Sequence, residues 1–275
     1  MDERKDSKKR SRLIAKLGFY SSTVLRELSS MVWMGRDTVS EIVDRLTLRL
    51  PPFRLEHFFY QANRVGVGSV PMLVLLSVFV GLTMALLTGY QLKGFGMVTL
   101  VPAVVSVSFT REMGSLFTGI VLASRIGAAY TAELGAMTAG GEVDAIEGMG
   151  IGARRYLVTP RFLAIFFLTP CLTVIAVISG ILGAAFISNL MLQLSYSYFF
   201  DQVMTNFLVK DAMAGIVKSF LFGAIIGVIS CYKGLSVKGG AMGVGVATTS
   251  SVVLSISSVI ACDSLCNIFI VTFFP

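Results

Sequence analysis

Few side chains in this 275-residue chain could do chemistry, and most of those sit in two settings. The first is a short run holding three carboxylates, Glu142, Asp144 and Glu147, followed by Arg154, Arg155 and Arg161. The second is a set of charges inside apolar surroundings: the adjacent Arg111 and Glu112, and Lys218. The three acids are spaced by two and three residues. On a helix that spacing does not bring all three to one point, so a metal site is not expected there. The single histidine, His57, makes a histidine-based metal or catalytic site unexpected, and suits a place near lipid headgroups. Cys171, Cys231, Cys262 and Cys266 lack a CxxC or metal spacing and read as small core residues. There is no Walker A glycine loop, so ATP hydrolysis is not expected of this chain, nor is a cofactor of its own.

The elements that must position these residues are membrane helices. Hydrophobic residues make up 55% of the chain and charged ones 14%. A soluble domain carries roughly a quarter charged residues. The expected fold class is therefore an all-α integral membrane protein with about five transmembrane helices. Spans are expected near 70–90, 97–137, 156–188, 212–232 and 246–273. The second is too long for one straight crossing and should be broken or tilted. Residues 1–52 read as a basic tail followed by an amphipathic interfacial helix. In 13–50 apolar residues recur at steps of three and four among charged ones, and Trp33 suits an interface. A soluble helical hairpin is the other reading of that stretch. Residues 53–275 read as the transmembrane domain. No cleavable signal peptide is expected, since the first long apolar run begins near Met72.

Lysine and arginine are richer on one side of these spans, in the loops at 138–155 and 233–245 and in the N-terminal tail. That side is expected to be cytoplasmic, with the C-terminus outside. The basic tail thus suits anionic headgroups better than nucleic acid. Gly223 and Gly227 form a GxxxG, and Gly180 and Gly183 lie in the third span. They permit close helix approach, either within the subunit or at a dimer seam.

The acidic run lies between the second and third spans, on the expected cytoplasmic side. Gly140 and Gly141 break the preceding helix, residues 142–147 read as a short helix, and Gly148 and Gly150 close it. Val143, Ile146 and Met149 form one apolar edge. Such a helix could dock on a partner subunit bearing basic groups, or it could be a solvated loop helix. Arg111, Glu112 and Lys218 could line a cavity that receives a lipid phosphate, or form an internal ion pair between the second and fourth spans. Arg125 and Glu133 lie nearer the cytoplasmic end, where interhelical or headgroup pairing would suffice.

Several segments in order carry a resemblance. The run "ELGAMTAGGEVDAIEGMGIGARRYLVTPRF" is similar to the signature of the MlaE/YrbE family, permeases of bacterial MCE-type lipid ABC transporters. So are "REMGSLFTGIVLASRIGAAYTAELGAM" (111–137), "GIVKSFLFGAIIGVISCYKGL" (215–235) and "GGAMGVGVATTSSVV" (239–253). The likeness runs from about residue 55 to the end. The chain departs from the family pattern at Ser115, Ser124 and Ser250, and at Gly140–Glu142, where the coupling helix would begin.

The resemblance implies a permease subunit moving phospholipids or related hydrophobic molecules between the inner membrane and an MCE-protein conduit. It implies a homodimer, an ABC ATPase subunit that binds the ATP and magnesium, an MCE-domain partner outside, and a small STAS-domain regulator. Glu142, Asp144, Ala145, Ile146, Glu147 and Met149 would form the ATPase-coupling helix. Arg111, Glu112 and Lys218 would be the lipid-cavity or ion-pair residues. The location implied is a bacterial inner membrane. A self-sufficient secondary transporter or channel, and a lipid-modifying enzyme, are the competing readings of the residues alone.

Overall fold

A computed structural model describes residues 29–38, 40, 55–150 and 152–273. The chain divides into two units, Met1–Pro51 and Pro52–Pro275. In the first, residues 29–38 are helical, and the Arg36 guanidinium stacks 5.1 Å from the Trp33 ring centre. The basic start and the rest of the expected amphipathic helix lie outside the described residues, as does the His57 side chain.

The second unit is built of helices, with no strand among the described residues. Backbone groups in lipid find partners only within their own segment, and that forces helix on apolar runs of this length. Helix α1 is Leu55–Lys93. The second span, α2, is Val98–Ala139. A short helix α3 follows at Glu142–Gly148. Helix α4, Thr159–Leu192, is entered through a π-helical turn at Arg154–Val158. Then come α5 (Tyr196–Thr205), α6 (Val209–Leu235) and α7 (Gly240–Phe273).

Five of these, among the described residues, are long and apolar enough to cross a membrane: α1, α2, α4, α6 and α7. Helices α1, α6 and α7 run further than the sequence suggests, because hydropathy marks the lipid-buried length and not the helical overhang, whereas α2 and α4 match their expected lengths to within a residue. The expected break in α2 takes a specific form. Its α-helical runs are interrupted by π-helical turns at Phe109–Met113 and Ala123–Gly127. Helix α5 was not anticipated. Its aromatic residues read as part of a loop, yet Ser195 caps it by accepting from the Tyr198 amide at 3.3 Å.

Tight packing rests on small residues. The most extensive seam joins α1 to α4. There a methyl added at Gly81 would collide with the Gly180 carbonyl, and one at Gly183 with Val78 backbone. The GxxxG of α6 is also used inside the chain: a Cβ on Gly223 would lie 2.8 Å from Thr169 Oγ1, and one on Gly227 3.0 Å from the Phe162 ring. Both glycine pairs thus serve helix contacts within one subunit. The central core gathers Leu73, Leu122, Tyr130, Ile165, Phe222 and Ile226 from four spans. Of the cysteines only Cys231 is core; Cys171 is exposed, because its place on α4 faces outward.

Candidate functional site

The π-helical turns of α2 carry three of its four charges; the fourth, Glu133, lies in the α-helical run beyond them. Arg111 and Glu112 sit on the first, and Arg125 on the second. A π turn inserts an extra residue, rotates the side chains beyond it, and recurs at functional sites.

Around the first turn an ionic cage forms. Lys218 of α6 is 1% exposed. Its Nζ donates to Glu112 Oε1 and Oε2 at 2.8 and 2.9 Å and to the Asn267 side-chain oxygen. Asp263 Oδ1 is 3.2 Å from Nζ, an ion pair without hydrogen-bond geometry. Asn267 returns its amide to Glu112 Oε2 at 3.0 Å and Asp263 Oδ2 at 3.3 Å. Arg111 lies beside this group, 3.9 Å from Asp211 on α6, with its side chain one-third exposed. The cage joins α2, α6 and α7, where the sequence suggested a link between two spans only. It contains two carboxylates for one lysine. Lys218 is enclosed and its ammonium is occupied, whereas Arg111 keeps donors open.

Asp263 and Asn267 were missed by sequence reasoning, although a signal existed. Asp263 is the single charged residue between Gly240 and Phe273, and Asn267 stands one turn further on the same face. A solitary acid in a span is costly unless paired, and so points to a partner.

Near the other end, Glu133 of α2 pairs with Arg64 of α1 and with Arg161 of α4, the latter at 3.5 Å. Arg161 also donates to the Leu157 carbonyl at 2.7 Å. Its guanidinium lies 5.9 Å from the Tyr130 ring centre. Arg125 donates to the Gly68 carbonyl of α1. Glu133 therefore fastens three spans, the interhelical form of the pairing expected for it.

Helix α3 lies at this same end. Gly141, with φ of 75°, precedes it, and no side chain caps it. Gly140–Glu142 thus gives a helix start held by backbone: Ala145 donates to the Gly141 carbonyl at 3.0 Å. Glu142 and Asp144 occupy the first turn, where negative charge suits the helix dipole. Val143 and Ile146 pack against a cluster that includes Leu134 of α2, Leu157 before α4 and Cys231 of α6. Glu142, Asp144, Ala145 and Glu147 are exposed. Met149 does not continue the apolar edge: the helix ends at Gly148, and Met149 is 68% exposed. Ile146 is turned toward the bundle, so it anchors α3 while the carboxylates face outward.

Five crossing helices, an ionic cage inside them and an acidic helix on one end define a polytopic permease subunit. Residues 58–269 match the model of a family described as Permease MlaE, and the chain belongs to that family. It is 31% identical to Protein TRIGALACTOSYLDIACYLGLYCEROL 1, chloroplastic, of Arabidopsis thaliana, over 88% of this chain and 69% of that one. It is 31% identical to a "Probable ABC transporter permease protein" of Rickettsia bellii, over 81% of this chain and 86% of the relative. A protein of the same description from Synechocystis is 33% identical over 72% of this chain and 76% of the relative.

Proposed function

We infer that this chain is the transmembrane subunit of an ATP-driven ABC transporter for phospholipids or related hydrophobic molecules. Family membership and relatives described as ABC transporter permeases support that reading. The observation that carries the mechanism is α3, which is anchored by Val143 and Ile146 and presents Glu142, Asp144 and Glu147 outward. A separate ATPase subunit, holding ATP and magnesium, docks on this acidic face through basic groups. Movement of α3 then passes to α2, α4 and α6 through Leu134, Leu157 and Cys231, because packed side chains transmit displacement and do not absorb it.

At the other end the cage governs how α2, α6 and α7 move. Lys218 locks the three helices, and Arg111 is the cation with donors open to a lipid phosphate. Two copies of the chain enclose the lipid path, and an MCE-domain protein receives or delivers lipid outside. A small STAS-domain regulator binds with the ATPase. The N-terminus is cytoplasmic and the C-terminus periplasmic in a bacterial inner membrane, following the basic loops.

The test is co-purification with the partner ATPase subunit. Wild type retains it, and the triple variant Glu142→Lys, Asp144→Lys, Glu147→Lys loses it while keeping its own fold and membrane insertion. Normal ATPase retention by the triple variant refutes the coupling role of α3.

A further inference from the structure

We propose that the α1–α2 seam, at the end of the bundle bearing α3, holds a site for the phosphate of an anionic phospholipid, separate from the cage around Lys218. Three guanidinium groups, Arg64, Arg125 and Arg161, gather there against one carboxylate, Glu133. Both carboxylate oxygens of Glu133 are engaged, one by Arg64 and one by Arg161. Two positive charges are left over. Arg125 is the open one. It is exposed, and among the described residues its one hydrogen bond is to the Gly68 carbonyl and no carboxylate pairs with it. A guanidinium carries five N–H donors, so Arg125 has several left for an anion, in a fork that matches phosphate oxygens.

Depth fits a lipid headgroup. From Val65 to Leu92 helix α1 has no charged residue, a run of about 42 Å that exceeds a hydrocarbon core of about 30 Å, so the core begins a few residues inside Val65. Gly68, one turn beyond Arg64, lies at about that boundary. Arg125 reaches this level from deeper in α2, as a long cation does when it bends toward headgroups. Gly68 makes the reach possible: any Cβ there would be 3.0 Å from the Arg125 guanidinium. Pro71, just beyond, has no N–H for the Val67 carbonyl and disturbs the helix at this point.

The surface above the cations suits acyl chains. Val67, Leu75 and Phe79 are each at least 60% exposed and lie at helical steps of eight and four, on the Arg64 side of α1. A phosphate at Arg125 therefore places its chains along an apolar stripe of the same helix. A free anion would use the guanidinium groups and ignore the stripe. The site does not depend on which molecule is transported, nor on whether α3 engages an ATPase.

The experiment is native mass spectrometry of the full-length chain in detergent, titrated with phosphatidylglycerol or phosphatidylcholine. Phosphatidylglycerol is expected to be retained about tenfold more strongly, and Arg125→Gln, which keeps an amide donor for Gly68, should remove about that factor. Lys93→Gln, at the far end of α1, should leave retention unchanged. Glu133→Gln releases Arg64 and Arg161 from their carboxylate and should strengthen retention, a gain that a purely structural role does not give. Equal retention of the two lipids overturns the proposal. So does an Arg125→Gln effect no larger than that of Lys93→Gln, or a loss in Glu133→Gln. Complete displacement of phosphatidylglycerol by excess inorganic phosphate would make this an anion site with no lipid character and overturn it too. ATPase co-purification is read on the same samples. A lipid failure with normal ATPase capture strikes this site alone.

Discussion

Lys218 sits where two acids and an amide converge, and its removal does more than delete one contact. In Lys218→Ala the Glu112 and Asp263 carboxylates remain close together with no cation between them. Removing one member of a buried ion pair costs about 3–5 kcal/mol, because the remaining charge is left uncompensated. A marked fall in thermal unfolding temperature in detergent is expected. Adding Asp263→Asn removes one of the stranded charges while keeping the side chain's shape. The double variant should therefore be more stable than Lys218→Ala alone. If the two losses simply add, Asp263 is not electrostatically coupled to Lys218, and α7 joins the cage through Asn267 alone. The charged members on α2 and α6 were legible in the sequence because charge inside an apolar run stands out. A pairing between these two spans was one of the readings open there, but the α7 members were not legible, since Asp263 and Asn267 reach the cage only through the packing of α7.

At the scale of elements, the seam between α1 and α4 depends on the absence of side chains. Gly81→Val would drive a branched side chain into the Gly180 carbonyl. Overpacking of this kind costs about 1–3 kcal/mol, occasionally more. Gly148→Ala, by contrast, meets nothing within 4 Å and lies at the end of α3 without left-handed geometry, so its stability should match wild type. Comparing melting temperatures of the two variants separates a packing glycine from a terminating one; equal melting would refute the seam. The same contrast marks what the sequence discloses. The spans follow from uncharged length, and α3 from glycines flanking an acidic run. The π-helical turns at Phe109–Met113 and Ala123–Gly127 follow from neither. Their residues have ordinary helical patterning, and the extra residue is taken up by tertiary contacts such as Arg125 with Gly68. The turn of the Met149 side chain away from Val143 and Ile146 has a similar origin: the helix stops one residue too early for a step-of-three edge to continue.

For the whole molecule, five crossings put α3 and α5 on opposite sides of the bilayer. Helix α3 follows an even number of spans and α5 an odd number. The proposed orientation, which follows the excess of lysine and arginine near α3, has α3 inside and α5 outside. Two exposed methionines report on this directly, Met149 just after α3 and Met204 in α5, at 68% and 72% exposure. Single cysteines at these positions, in a background with Cys171, Cys231, Cys262 and Cys266 replaced by serine or alanine, can be labelled with a membrane-impermeant maleimide. Intact spheroplasts should label Met204→Cys and leave Met149→Cys unreacted until the membrane is opened. Labelling of both from outside would break the five-span topology. Labelling of Met149→Cys alone would keep the topology and invert it, placing the acidic face of α3 beyond the reach of any cytoplasmic ATPase. The outcome therefore decides orientation and the possibility of energy coupling together, since in this chain both depend on the side to which Glu142, Asp144 and Glu147 project.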